Sequence, residues 1–156
     1  MCDKLNNPNL RRTDRKEWKR QFRKHPTRIL LQQQLQVLRN GQNQTEPIHN
    51  WFLLDSKGLL LAQDPAAPLS IGKNFAWRTY FHSGNRDYKD LQDYLKNGAD
   101  KHVTEPHLSA ALESQSQGIP LWAVSTPVID ENGKFIGVVG LRVILGQTPD
   151  ASPGSP

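Results

Sequence analysis

The stretch Ile71–Ser83, IGKNFAWRTYFHS, sets Phe75, Trp77, Tyr80 and Phe81 around a single cation, Arg78. A guanidinium lined by rings suits a carboxylate, because its planar fork offers parallel N–H donors and keeps its charge at any physiological pH. Trp77, Tyr80 and Phe81 are spaced i, i+3, i+4, so a helix places them on one face with Arg78 at its margin. The same spacing fits an ordinary core stripe whose arginine lays its stem on the rings and its head in water. The stretch alone leaves both readings open.

Other reactive side chains make weaker patterns. His102, Glu105 and His107 surround Pro106, but the histidines are not an i, i+4 pair and the proline disfavours the helix such a zinc site needs. Ser125 lacks a Gly-x-Ser-x-Gly elbow, and Cys2, the single cysteine, excludes an internal disulfide and any cysteine-based zinc site. His82 and His107 are the candidates for a haem axial ligand, although a lone histidine near a core is more often a hydrogen-bonded structural residue. His25 and His49 have surface or packing roles. The expectation is a protein that is not an enzyme, with no metal and no cofactor.

A chain of 156 residues, 36% hydrophobic and 22% charged, suits one domain with polar extensions. No run approaches the roughly 18 apolar residues of a membrane helix, and Met1-Cys2-Asp3-Lys4 does not begin a signal peptide. Its compartment stays open, since an excised ectodomain has the same composition. The net charge of +5 is uneven: residues 1–30 hold ten Lys or Arg against three acids, and the remainder ten against twelve. Residues 1–26 read as a basic, helical N-terminal segment in which Lys16, Lys19, Arg20, Arg23 and Lys24 interleave with Trp18 and Phe22. A solvated helix that adds little to the core is one reading, and a partner such as nucleic acid or an anionic membrane is the other.

Pro26 interrupts or restarts this helix, and the spacing predicts a second one over Thr27–Arg39, stopped by Asn40-Gly41. Gln42–Glu46, closed by Pro47, is a linker. From Ile48 the period shortens towards 2. Ile48–Leu54 and Leu59–Gln63 read as strands around Asp55-Ser56-Lys57-Gly58, and Val124–Ile129 and Lys134–Leu145 as strands around Asp130-Glu131-Asn132-Gly133. Between the hairpins lie the aromatic helix, a helix over Tyr88–Asn97 and a strand near His107–Glu113. The expected class is α+β: a five-stranded antiparallel sheet with helices on one face and a long N-terminal helix, over 27–146, followed by a disordered linker, 147–156.

Trp51-Phe52-Leu53-Leu54-Asp55-x-x-Gly58, then Ile71-Gly72-Lys73-Asn74-Phe75 running into Arg78-Thr79-Tyr80-Phe81, resembles the Cache family of extracellular sensors. So does Leu121–Asp130 with Gly133, followed by Phe135-Ile136-Gly137-Val138-Val139-Gly140. The resemblance covers about Asn50–Leu145. It implies a PAS-like sheet and sensing of small molecules in the periplasm or outside the cell. It further implies a parent receptor, anchored in the membrane, whose output domain lies elsewhere, and a homodimer through the N-terminal helix.

Carried over residue by residue, the resemblance implies that Arg78 and Tyr80 grip a ligand carboxylate beside Trp77. It puts His107 and Ser109 on one pocket strand, and Trp122, Ser125 and Thr126 on the next. The chain departs from amino-acid-binding members at Leu141-Arg142, where those present an acid, and Ser109 also replaces an acid. An ammonium would meet Arg142, so the expected small-molecule ligand is an organic acid or a neutral compound rather than an amino acid. A slip of one residue in register would turn Arg142 outward. Three readings remain: a sensor module binding a carboxylate, with no nucleic-acid partner; an interaction module acting through its basic helix; and a metal- or cofactor-dependent PAS-like protein.

Overall fold

The structure is a computed structural model and describes residues 11–41, 48–109, 111–113 and 120–144. Cys2, the linker 42–47 and the tail from Gln147 lie outside the described residues. Helix α1 (Arg12–Arg23) carries short-range pairs, Arg11 with Asp14 and Arg20 with Glu17, which lie in water and add little to stability. What fixes the helix is its apolar edge: Phe22 is buried in the core, and Trp18 packs against it. Helix α2 (Pro26–Asn40) begins with proline at the position where a missing amide donor costs nothing. It ends at Gly41, whose φ of −76° is right-handed, so the glycine is not used there for a left-handed turn.

Strands β1 (Ile48–Asp55) and β2 (Leu60–Asp64) form the first hairpin. In its turn the Asp55 carboxylate accepts the Lys57 and Leu59 amides at 2.9 and 2.8 Å, an Asx turn. Gly58 takes φ +79°, and a Cβ there would meet Ala76 at 2.6 Å, so no other residue fits. Helices α3 (Thr79–His82) and α4 (Leu91–Asn97) follow, then β3 (His107–Leu108), β4 (Leu112–Glu113), β5 (Pro120–Ile129) and β6 (Phe135–Ile144). Asp130 repeats the turn chemistry of Asp55, accepting the Asn132 and Lys134 amides at 2.9 Å.

The strand order is β2-β1-β6-β5-β3, with β4 also paired to β5, and all recorded pairings are antiparallel. Strands β3 and β4 are two pieces of one edge, so the sheet has five positions, and the α+β architecture is PAS-like. Directly opposed residues of antiparallel strands share a face. The inner face therefore carries Asn50–Arg142–Ala123, Phe52–Gly140–Ser125–His107 and Leu54–Val138 as cross-strand rows. Tyr80 and Phe81 of α3 close over this face, Tyr80 against Phe52 with ring centroids 4.9 Å apart. The outer face holds Leu108, Trp122 and Val124, all exposed.

Helix α2 is held at the β2 edge by polar contacts. The Gln32 side chain donates to Gln63 O at 2.7 Å and accepts its amide at 3.2 Å, and Arg39 pairs with Asp64 at 2.9 Å. Two expectations change in detail. The aromatic helix is one turn long and starts after Trp77 and Arg78, because Arg78 is extended, with ψ 145°. The second helix starts at Leu91 rather than Tyr88, where the Asp90 side chain caps it by accepting the Asp93 amide at 2.9 Å.

The burial of Phe22 also overturns the reading of α1 as a solvated helix that adds little to the core. Removing a buried phenylalanine costs about 3 kcal/mol, which for a chain of this size lowers the melting temperature by about 6–12 °C. Thermal denaturation of Phe22→Ala is expected to show that fall. An unchanged melting temperature would mean that α1 does not pack.

Candidate functional site

The side chain at the centre of the inner face is Arg142. It donates to Asn50 Oδ1 at 3.3 Å and to Tyr80 Oη at 3.1 Å, and its guanidinium lies over the Phe52 ring at 4.7 Å and the Tyr80 ring at 5.3 Å. Phe52 reaches this position because Gly140 lies beneath it: a Cβ on Gly140 would run into the Phe52 ring. Among the described residues no carboxylate pairs with Arg142. Its positive field is felt by His49, whose pKa is lowered chiefly by burial and then by Arg142 and Arg39.

Arg78 sits differently. Its guanidinium donates to Asp87 Oδ2 at 2.6 Å and stacks on Trp77 at 4.1 Å. Asp87 Oδ1 accepts the Thr79 amide at 2.7 Å, so the pair fastens the start of α3, which has no cap from its own sequence. The carboxylate held by Arg78 is thus supplied by the chain itself. Trp77 belongs with this pair and with the edge of the core.

Of the remaining predicted residues, Ser125 and His107 face each other across β5 and β3 on the inner face. Ser125 Oγ and His107 Nε2 are buried with no partner among the described residues, as is Thr79 Oγ1. Ser109 is also buried, but its Oγ accepts the Ala123 amide at 2.9 Å while its own amide donates to Ala123 O, so it extends the ladder. Trp122 and Thr126 do not join this group. Each is an odd number of residues from Ser125 on a regular strand and therefore points to the outer face, where Trp122 is exposed. Asn50 and Phe52 were missed. The alternation of Asn50, Phe52 and Leu54 was visible in the sequence, but it did not say which face Arg142 shared.

The histidines are used structurally where their partners are seen. His82 is buried: its Nδ1 accepts the Gly84 amide at 3.0 Å, which leaves the proton on Nε2 to donate to Trp77 O at 3.2 Å. Both nitrogens are engaged, and neither is placed for a haem iron. His102 stacks on Phe135 with centroids 3.9 Å apart. Among the described residues no three His, Cys, Asp or Glu gather as a metal site. A cleft of about 720 Å³ opens beside α3, lined by Arg86, Asp87, Lys89, Asp93 and Lys101 among others. Its acids are already engaged, Asp87 by Arg78 and Asp93 by Asn97 and the Lys89 amide.

No family model and no curated protein sequence matches the chain. Solved structures are similar to it. One is an extracellular ligand binding receptor from Desulfohalobium retbaense DSM5692, at 17% identity over 91% of this chain and 20% of that one, with a TM-score of 0.48. Another is the sensor domain of the V. cholerae histidine kinase DctB, at 22% identity over 75% of this chain and 36% of that one, TM-score 0.43. A third is the ligand-binding domain of the Pseudomonas aeruginosa PAO1 amino acid chemoreceptor PctC in complex with GABA, at 15% identity over 76% and 52%, TM-score 0.40. The chain thus spans about a fifth of the first structure and about a third of the second.

Burial lowers the pKa of His82 from 6.5, outweighing the Trp77 carbonyl and Asp87, which raise it. The folded state then binds this proton less readily than the unfolded chain, so the contribution to stability is complete above about pH 6.5 and is lost as pH falls towards the folded value. Denaturant titrations at about pH 7.5 and about pH 5.5 are expected to show a smaller loss of stability for His82→Gln than for wild type. Equal losses would contradict this account of His82.

Proposed function

We propose that the chain is a ligand-sensing module that binds a small carboxylate-bearing molecule on the inner face of its sheet, with Arg142 as the anchor and Tyr80 and Asn50 as its orienting partners. The observation that carries this reading is the Arg142 guanidinium, half-buried over two rings and met only by neutral oxygens among the described residues. A desolvated cation without a counter-charge attracts an anion far more strongly than it would in water, and a carboxylate matches its fork. His107 and Ser125 complete the wall of the proposed site. Arg78 is a positioning residue in this reading, holding α3 and thereby Tyr80.

The receptor context belongs to the same proposal: an extracytoplasmic domain of a membrane-anchored protein, paired with a second copy along α2. It is supported by the resemblance of Ile71–Phe81 and Leu121–Gly140 to Cache sensors. It is also supported by an exposed stripe on α2 of Leu30, Val37 and Leu38, spaced i, i+7, i+8. No helix of the described residues is long and apolar enough to cross a membrane.

A thermal-shift screen over organic acids, amino acids and amines, followed by calorimetric titration of the best compound, tests the reading. Acids are expected to stabilise the protein most. Arg142→Ala should weaken binding by about 2–4 kcal/mol, roughly thirty- to a thousandfold, with little rescue by Arg142→Lys. Arg78→Ala should lower stability and, acting only through the position of Tyr80, weaken binding less than Arg142→Ala does. Equal affinity in wild type and folded Arg142→Ala would reject the site.

A further inference from the structure

The cleft beside α3 holds about 720 Å³ and lies between the loop 83–90 and α4 with its continuation to Lys101. Its lining contains no residue of the sheet, so it is separate from the inner face that holds Arg142. Both walls are fixed. The Tyr88 amide donates to Trp77 O at 2.9 Å, the Tyr88 ring meets His82 with centroids 4.8 Å apart, and Gly98 leaves room for that ring where a Cβ would strike it. On the other wall Tyr94 Oη donates to Ala99 O at 3.1 Å and to Lys101 O at 2.9 Å, which holds the turn after α4 in place. The charged side chains of the lining are Arg86, Lys89 and Lys101 against Asp87 and Asp93, while Asp90 and Asp100 lie outside it. The two acids are satisfied by the chain. Asp87 accepts Arg78 at 2.6 Å and the Thr79 amide at 2.7 Å, and Asp93 accepts the Lys89 amide at 3.0 Å and Asn97 Nδ2 at 2.7 Å. Those bonds to Asp93 first, and then the charges of Lys89 and Arg86, hold its carboxyl below the ordinary value. Among the described residues none of the three cations has an ion pair or a side-chain hydrogen bond. A concave space lined by uncompensated charges of one sign focuses field lines and concentrates the opposite ion.

We propose that this cleft is a binding site for a phosphorylated small molecule with at least two negative charges, held by Arg86, Lys89 and Lys101. The arginine fork matches phosphate oxygens in pairs, and the two lysines act as point charges on the oxygens that remain. A phosphate group carries up to two charges on three acceptor oxygens, whereas a single carboxylate cancels only one of the three cations. The volume falls within the range of about 300–1,000 Å³ that small-molecule sites occupy, which leaves space beside the phosphates for the body of the molecule, along Asn85 and the Tyr88 ring. The cleft also bears on the inner face. Asp87 lines it and at the same time fastens the start of α3, the helix that carries Tyr80.

The test is calorimetric titration of the whole chain with inorganic pyrophosphate and with ADP, which adds a body to the same two phosphates, at constant ionic strength, together with amide chemical shifts. Saturable binding of both is expected, with shifts centred on residues 84–89 and 97–101. Arg86→Gln, Lys89→Gln and Lys101→Gln should each weaken it about tenfold. All three side chains are exposed, so these substitutions leave the fold intact. Lys96→Gln, which removes an exposed cation of α4 outside the lining, should leave binding unchanged. Tricarballylate, a tricarboxylate, should bind at least about tenfold more weakly than pyrophosphate. The proposal is overturned if neither phosphate compound binds beyond a chloride control, if Lys96→Gln weakens binding as much as Lys101→Gln, if tricarballylate binds as tightly as pyrophosphate, or if the shifts centre on Tyr80 and Arg142 instead of the cleft.

Discussion

An arginine on the buried face of an antiparallel sheet must find oxygens there or lose more hydration energy than its packing returns. Arg142 finds two, from Asn50 and Tyr80, and lays its charge on two rings. Everything around it follows from that requirement. Asn50 stands opposite it on β1, Gly140 makes room for Phe52, and α3 is pinned so that Tyr80 hangs over the strand. Neutral oxygens solvate the guanidinium without cancelling its charge, so the face stays electropositive and suited to an anion.

In the proposed reading the two arginines divide the work between structure and site. Arg78 has a carboxylate of the chain beside it and a ring beneath it, and the resulting ion pair replaces a helix cap that the sequence around Thr79 lacks. A one-turn helix has little stability of its own. Its position rests on Asp87, on the burial of Tyr80 and Phe81 and on the hydrogen-bonded ring of His82. On the far side of the sheet edge, Gln32 and Arg39 hold α2 to β2 by polar contacts, and Leu35 of the same helix is buried.

The hairpins were legible in the sequence because the Asp-x-x-Gly turns state their own chemistry: Asp55 and Asp130 each accept two amides of their own turn. The alternation of Val138, Gly140 and Arg142 was legible too. Its face was not, since that depends on pairing with Asn50 and Ala123, which are distant in sequence. The partner of Arg78 was hidden for a local reason. Its aromatic neighbours are visible in the sequence, whereas Asp87, nine residues on, is brought to it only by the loop after α3. Trp122 and Thr126 were grouped with Ser125 by the resemblance to Cache sensors, and strand alternation separates them. Phe22 was hidden by the charges on either side of it: a helix needs only one buried ring in each turn to dock, and composition averages that ring away.

Determining the structure with the organic acid that stabilises the chain most tests the central claim directly. The account predicts the acid's carboxylate within about 3 Å of the Arg142 guanidinium and the Tyr80 hydroxyl, with the Arg78–Asp87 pair intact. A carboxylate held by Arg78 with Asp87 displaced, or an acid seated on the outer face beside Trp122, would contradict it.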